Sequence, residues 1–165
     1  MRAPGALALG VTALSLLACA SPVPMASGEA IDVHVHLIGR GGGVIDYEGA
    51  AQAALDAMRQ QGVALSIVMP PPQTAAIREP FEQDDFIAAL RARPGRFAWL
   101  AGGGSLNRDL AEAPDAPSAA AVDAFARRAE ALLDAGASGF GEIAAHHLSL
   151  VPGHPYQWTA PDHPY

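Results

Sequence analysis

The sequence predicts an α/β fold of the (β/α)8 TIM-barrel type, with only about the first four β/α units present. Strand-like and helix-like segments alternate after residue 30, and the strands are apolar runs typical of a parallel sheet wrapped by helices. The first strand also carries polar residues on one face. An open doubly wound sheet begins in the same way and is the alternative. Because inward side chains near the strand ends of a barrel line its active site, the polar face favours the barrel.

The first strand, AIDVHVHL at residues 30–37, provides that polar face. Successive side chains of a strand point to opposite faces, so Asp32, His34 and His36 lie on the same side. The opposite side is apolar, and we expect it to pack on helices; it consists of Ile31, Val33, Val35 and Leu37.

The next segments continue the alternation. After a glycine loop at 38–43, apolar residues at helical spacing predict a helix over 46–61, and Gly62 is a typical C-terminal stop. The apolar run at 63–69 predicts the second strand. The second helix has Pro80 in its first turn and ends before the Pro-Gly pair that precedes the third strand.

The third strand is predicted at 96–102 and the fourth at 138–143. The helix between them begins at the cap Ser118 and ends at Gly136. The stretch 111–118 is predicted as a linker. The glycine loops that follow the first and third strands lack the Lys and Ser/Thr pattern of a P-loop, so we interpret them as flexible connections on the catalytic face.

Composition limits the classes of partner. The chain has 165 residues, enough for one domain at most, and half of them are hydrophobic. Its 10 basic residues are all Arg, against 17 acidic residues, which gives a net charge of −7. A basic surface for nucleic acid is therefore not expected. Without Lys, neither a Schiff base nor a carboxylated lysine bridge between metals can form.

The N-terminal residues predict export. Residues 1–19 have a charged start, an apolar middle and small residues at the end, as in a signal peptide. The stretch Leu16–Cys19 resembles a bacterial lipobox, which makes Cys19 the lipidation site; the alternative is ordinary cleavage after Ala20. Residues 20–29 are interpreted as a tether. We therefore expect a periplasmic lipoprotein whose contact with the membrane is its lipid anchor.

The histidine spacing predicts a metal site. Two histidines at i and i+2 on one strand face can both reach one cation, with zinc–nitrogen bonds of about 2.0–2.1 Å. Asp32 lies on the same face, where it can orient a ligand, and a glycine loop follows at once. The alternative is a pair of buried histidines, His34 and His36, whose rings are satisfied by main-chain carbonyls.

The motif Ile31–His36 resembles the first-strand signature of the amidohydrolase superfamily, metal-dependent hydrolases built on (β/α)8 barrels. It is most similar to the amidohydrolase-related branch. The resemblance implies that His34 and His36 bind the metal and that Asp32 holds a histidine in its ligating tautomer. It also points to Glu142 in GFGEI, which resembles the Gly-Glu-Ile of the deoxyribonuclease-like branch, as a third ligand or a metal bridge. The alternative for Glu142 is an ordinary salt bridge.

The resemblance covers roughly residues 30–143, so that 30–165 would form the N-terminal half of an amidohydrolase-like barrel. The family pattern needs further ligands on strands five, six and eight, which would follow Tyr165. His146 and His147 lie in a Pro- and aromatic-rich segment and are predicted to contact substrate or metal; the alternative is a polar loop role. The general base is not assigned. We expect residues 20–165 alone to bind metal weakly and to lack turnover.

The function predicted is metal-dependent hydrolysis of an amide, ester or related bond in a small molecule. One or two divalent ions, zinc in the first place, would activate the attacking water. One alternative is a metal-dependent decarboxylase or other lyase on the same scaffold. The other is a non-catalytic metal-binding periplasmic lipoprotein, which could be a homo-oligomer.

Overall fold

A short parallel sheet flanked by helices forms the framework of this computed structural model, which describes residues 30–41, 44–77, 81–147 and 156–165. In chain order the elements are β1 (Ala30–Val35), β2 (Arg40–Gly41), β3 (Val44–Ile45), α1 (Tyr47–Gln61), β4 (Val63–Val68), a 3₁₀ turn (Gln83–Asp85), α2 (Ile87–Arg91), β5 (Phe97–Trp99), β6 (Ala101–Gly102), α3 (Leu106–Glu112), α4 (Ala119–Asp134), β7 (Phe140–Gly141), β8 (His146–His147) and β9 (Gln157–Trp158).

The sheet confirms the predicted α/β class. Its order is β1-β4-β5, and both pairings are parallel. The predicted third strand is split at Leu100 into β5 and β6, and β6 pairs in parallel with β7. The four predicted strands therefore neighbour one another in chain order. Within the described ranges the sheet does not close into a barrel.

Helix α1 forms where the sequence predicts it. The Asp46 carboxylate caps its start by accepting the Gly49 N–H at 2.7 Å. Gly62 ends it with φ of 69°, a left-handed conformation that glycine adopts without steric cost, and donates its N–H to the Met58 carbonyl. Met58 and Ala51 are its buried residues, and both belong to the apolar core.

The apolar core lies between α1, α2 and the sheet. Its buried members are Leu37, Ala51, Met58, Val68, Phe86, Ala89, Leu90 and Phe97. The expectation that the whole apolar side of the first strand packs on helices is wrong for Ile31 and Val33, which are 57% and 63% exposed. The reason is that β1 is an edge strand, and the described helices reach only Val35 and Leu37 on that side.

The second helical segment is shorter than expected. It consists of the 3₁₀ turn followed by the five residues of α2, and Phe86 and Leu90 are its largest buried side chains. A capping box between Glu82 and Asp85 starts the turn. Pro80, predicted in the first turn, lies outside the described residues.

The segment after β6 confirms one expectation in most of its length and contradicts another. The predicted linker at 111–118 is confirmed for 113–118, while its first two residues end α3. The glycines at 102–104 are buried, and a Cβ on Gly103 or Gly104 would overlap a main-chain carbonyl oxygen of Pro70 or Phe81. Glycine here allows close packing of two chain segments, which differs from the flexible connection that was expected.

Helix α4 begins at the predicted cap, where the Ser118 hydroxyl accepts the Ala121 N–H at 3.3 Å. It ends at Ala135, and Gly136 follows with φ of 99°. No residue of α4 is fully buried, so its apolar side is only partly covered by the described chain. None of the described helices combines the length and apolar character needed to cross a bilayer. The predicted signal peptide, Cys19 and the tether lie outside the described residues.

Candidate metal centre

The two histidines of the first strand lie side by side. His34 belongs to β1 and His36 follows its last residue, so strand alternation places both imidazoles on one side. Their Nε2 atoms are 3.1 Å apart, and the rings meet edge to face at 85°. Both rings therefore direct their Nε2 atoms towards one point.

Glu142 lies beside this pair at the end of the fourth predicted strand. It directly follows β7, and its Oε2 lies 3.5 Å from His34 Nε2 and 3.3 Å from His36 Nε2. Parallel strands end at one edge, which brings these strand-end residues together. Among the described residues, His34, His36 and Glu142 form the group of His and acidic side chains close enough to share a cation.

The spacing of the three donor atoms fits a tetrahedral metal. With bonds of about 2.0–2.1 Å to zinc, donors at the corners of a tetrahedron lie about 3.4 Å apart. The three separations here are 3.1, 3.3 and 3.5 Å. Two imidazoles and one carboxylate are also the donor types of catalytic zinc sites with three protein ligands.

A main-chain carbonyl orients the His36 ring. His36 Nδ1 lies 2.9 Å from the Met69 oxygen, and because a carbonyl can only accept, Nδ1 is the donor. In the neutral ring this places the Nε2 lone pair towards the other two donors. Ligating histidines in metal sites are commonly held in this way by their second nitrogen. Met69 follows β4, and its own N–H donates to the Val35 carbonyl at 2.9 Å.

Asp32 contacts the main chain of a predicted ligand. Its Oδ1 accepts the His34 N–H at 3.2 Å. The carboxylate therefore supports the strand segment that carries His34, and the described bond involves neither nitrogen of that ring. The predicted effect of Asp32 on a histidine tautomer stays a prediction.

The site is open to water on one side. The His34 side chain is 54% exposed, compared with 37% for Glu142 and 27% for His36. An ion held by these three side chains would keep room for an exchangeable ligand, as catalytic sites require. The alternative of two buried histidines is wrong for His34, which is exposed, whereas His36 is partly buried and bonds a main-chain carbonyl as that alternative expects.

His146 and His147 form one strand of an antiparallel pair. β8 pairs antiparallel with β9, and the exposed His146 ring meets Tyr156 and Trp158 edge-on, with centroids 5.5 and 5.0 Å away. His146 is not part of the three-donor group. For His147 only the main chain is described. Their contact with substrate stays a prediction.

Sequence reasoning missed the groups that hold the donors in place. The Met69 carbonyl and the Pro70 carbonyl, which accepts the Glu142 N–H at 3.0 Å, are main-chain atoms and leave no mark in residue type. The one signal available was their position directly after the second strand.

Comparison with known proteins yields no relative: no family model, no curated protein and no solved structure matches the chain. The resemblance of Ile31–His36 to the amidohydrolase signature therefore stays a prediction. The functional argument depends on the geometry of the three donors.

Proposed function

We propose that the chain is a metal-dependent hydrolase of the amidohydrolase type, acting on an amide, ester or related bond of a small molecule. One observation carries the proposal: His34, His36 and Glu142 present donor atoms 3.1–3.5 Å apart at the edge where parallel strands end. Zinc is the cation that suits this donor set best.

The strand arrangement supports a barrel as the scaffold. In a flat sheet, three strand spacings of about 4.8 Å would separate the first strand from the fourth by about 14 Å. Side chains stand roughly perpendicular to a sheet, so His36 and Glu142 would not meet across that distance. Their contact at 3.3 Å therefore favours a curved arrangement of the strands over a flat sheet. Curvature together with strands neighbouring in chain order is what the start of a (β/α)8 barrel needs.

Each residue of the site has a defined task. A divalent cation bound there would supply a nucleophile at neutral pH by acidifying a water molecule, and would polarise the scissile bond. His34 and His36 would hold the ion through their Nε2 atoms, and the Met69 carbonyl, which accepts from His36 Nδ1, leaves the Nε2 of that ring for the ion. The Glu142 carboxylate would offset part of the cation's charge. The exposed side of His34 leaves the approach path for substrate.

The test starts from metal binding by the full chain. After treatment with a chelator, we expect the chain to take up one Co²⁺ or Zn²⁺, measured by equilibrium dialysis and elemental analysis, which also detect weak binding. His36→Ala and Glu142→Ala should each lower the affinity by about 100-fold or more, beyond what the loss of an outer-shell partner costs. Matched controls are His163→Ala and Glu130→Gln, which remove the same side-chain types away from the centre and should bind like the unaltered chain.

The second measurement separates an enzyme site from a storage site. Because three protein donors leave a coordination position open, the visible spectrum of the Co²⁺ form should change when acetohydroxamate is added. A chain that binds no metal, or binds it equally well without His36, would contradict the proposal. A Co²⁺ spectrum that acetohydroxamate does not alter would favour the non-catalytic binder. A panel of esters, amides and carboxylic acids then distinguishes hydrolysis from decarboxylation, since the metal donors are common to both.

A further inference from the structure

The loops at the strand ends are joined by buried amide side chains. The side-chain amide of Gln73, which is 7% exposed, donates to the Phe81 carbonyl and accepts the Phe81 N–H. The main-chain N–H of Gln73 donates to the Gly103 carbonyl at 2.9 Å. This fixes the loop that follows β4 against the loop that follows β6. Neither contact involves the three metal donors directly.

Asn107 extends this connection to the segment that carries Glu142. It is 1% exposed, and it uses both ends of its amide. Its Nδ2 donates to the Gln73 carbonyl at 2.8 Å, and its Oδ1 accepts the Ala144 N–H, also at 2.8 Å. One side chain at the start of α3 therefore bridges the loop after β4 and the segment after β7.

The segment that carries Glu142 is held at two points. The Glu142 N–H donates to the Pro70 carbonyl at 3.0 Å, and two residues later the chain is held by Asn107. The neighbouring Met69 carbonyl orients His36. Residues 69–73 thus form a common support. His36 and Glu142 bond to the neighbouring carbonyls of Met69 and Pro70, and the carbonyl of Gln73 holds Asn107.

We propose that Asn107 is a positioning residue that sets the location of the Glu142 carboxylate relative to the two histidines. This inference rests on the proposed metal function. Asn107 touches neither the donors nor an ion; it acts through the main chain around Glu142. If its amide is lost, the hydrogen bonds to the partly buried Ala144 N–H and to the buried Gln73 carbonyl are lost, and the segment after β7 is no longer joined to the loop after β4 through this side chain. The carboxylate then moves out of the shared site.

The test is a double-mutant cycle on Zn²⁺ affinity, measured with the full chain by competition against a chromophoric chelator. We expect Asn107→Ala to weaken binding by about 10- to 100-fold, the range found for outer-shell partners of metal ligands. When Glu142 is already Ala, the same substitution should change the affinity by less than about threefold, because the group it acts through is gone.

The matched control is Gln83→Ala. Gln83 is another 1% exposed amide with two hydrogen bonds, donating to the Leu132 carbonyl and accepting from Trp99 Nε1, and it lies outside the support of Glu142. It should lower the thermal midpoint, followed by circular dichroism, as Asn107→Ala does, and leave Zn²⁺ affinity unchanged. Should Asn107→Ala fail to fold, Asn107→Ser enters the same cycle, since its short hydroxyl cannot bridge both partners.

The outcomes separate the inference from the function on which it depends. Equal losses of affinity with and without Glu142, or an equal loss in Gln83→Ala, would show a general structural effect and overturn the positioning role while the metal site stands. Absence of Zn²⁺ binding by the unaltered chain would overturn the proposed function itself.

Discussion

The buried apolar cluster draws all its members from residues 37–97, whereas α4 further along the described chain has no fully buried residue. We call residues 30–99 the first region and residues 100–165 the second region. The Glu82 carboxylate of the first region accepts the N–H groups of Gly102 and Ser105, and so connects the loop after β6 to that region. Apolar packing holds the first region, whereas among the described residues of the second region the buried apolar side chains are Ala101, Leu106 and Ala137.

The metal donors lie across this division. His34 and His36 come from the first region and Glu142 from the second. A cation bound to all three would therefore connect a well-packed part of the molecule to a less packed one. The difference in packing between the regions can therefore be measured as a change in the free energy of unfolding.

The largest expected effect concerns core packing. Phe86→Ala removes a fully buried ring from the first region and should lower the free energy of unfolding by about 3–5 kcal/mol. Phe125→Ala removes a half-buried ring of α4 that stacks on Tyr165, and should cost about 1 kcal/mol. Urea unfolding of the full chain measures both. Similar losses for the two rings would contradict the division into regions.

The next effect is stabilisation by metal. At a free Zn²⁺ concentration of 100 times the dissociation constant, the free energy of unfolding should rise by about 2.7 kcal/mol. In amide hydrogen exchange Phe140–Ala144 should gain protection, because an opening that moves Glu142 away from the histidines must release the ion. The Glu142→Ala chain serves as the control and should show no such gain. Unchanged protection of Phe140–Ala144 on Zn²⁺ binding would mean that the ion does not connect the two regions.

The sequence could predict what depends on local pattern. Alternating apolar segments indicated the parallel sheet, the i, i+2 histidines indicated one shared side, and Gly62 indicated the end of α1. The position of Glu142 at the end of the fourth strand was also readable, and the structure brings it to the histidines. These features follow from strand alternation and from residues that end helices and strands, and both depend on neighbours in the sequence.

Features that depend on distant partners could not be predicted. Alternation assigned Ile31 and Val33 to an apolar side, but whether a helix covers that side depends on other parts of the chain. Asn107 lies in a short helix, and its two partners are main-chain atoms of Gln73 and Ala144, so no residue pattern marks it. The glycines at 102–104 look the same in sequence whether they bend freely or pack tightly.

An effect of intermediate size is expected from substituting one glycine in each region, Gly103 and Gly95. Gly103→Ala would place a Cβ against the Pro70 carbonyl that holds Glu142, so it should cost about 1–3 kcal/mol and weaken Zn²⁺ binding. Gly95→Ala meets nothing within 4 Å and has only its φ of 76° to strain, at about 1 kcal/mol. It should leave Zn²⁺ binding unchanged. Equal effects on Zn²⁺ affinity would show that the Gly103 loop does not support the site.

The smallest expected effects concern the two helix caps, one in each region. Asp46→Ala removes a carboxylate that accepts the Gly49 N–H at 2.7 Å, and Ser118→Ala removes a hydroxyl whose bond to the Ala121 N–H is 3.3 Å long. Losing an N-cap costs about 0.5–2 kcal/mol, and charge-assisted bonds are the stronger kind, so Asp46→Ala should fall in the upper part of that range and Ser118→Ala in the lower. Thermal unfolding followed by circular dichroism compares them.

Because α1 is packed on the core and α4 is not, loss of the Ser118 cap should act mainly as local fraying, visible as faster amide exchange in the first turn of α4 with little change in the global midpoint. A global midpoint that falls further for Ser118→Ala than for Asp46→Ala would reverse the order of the two regions.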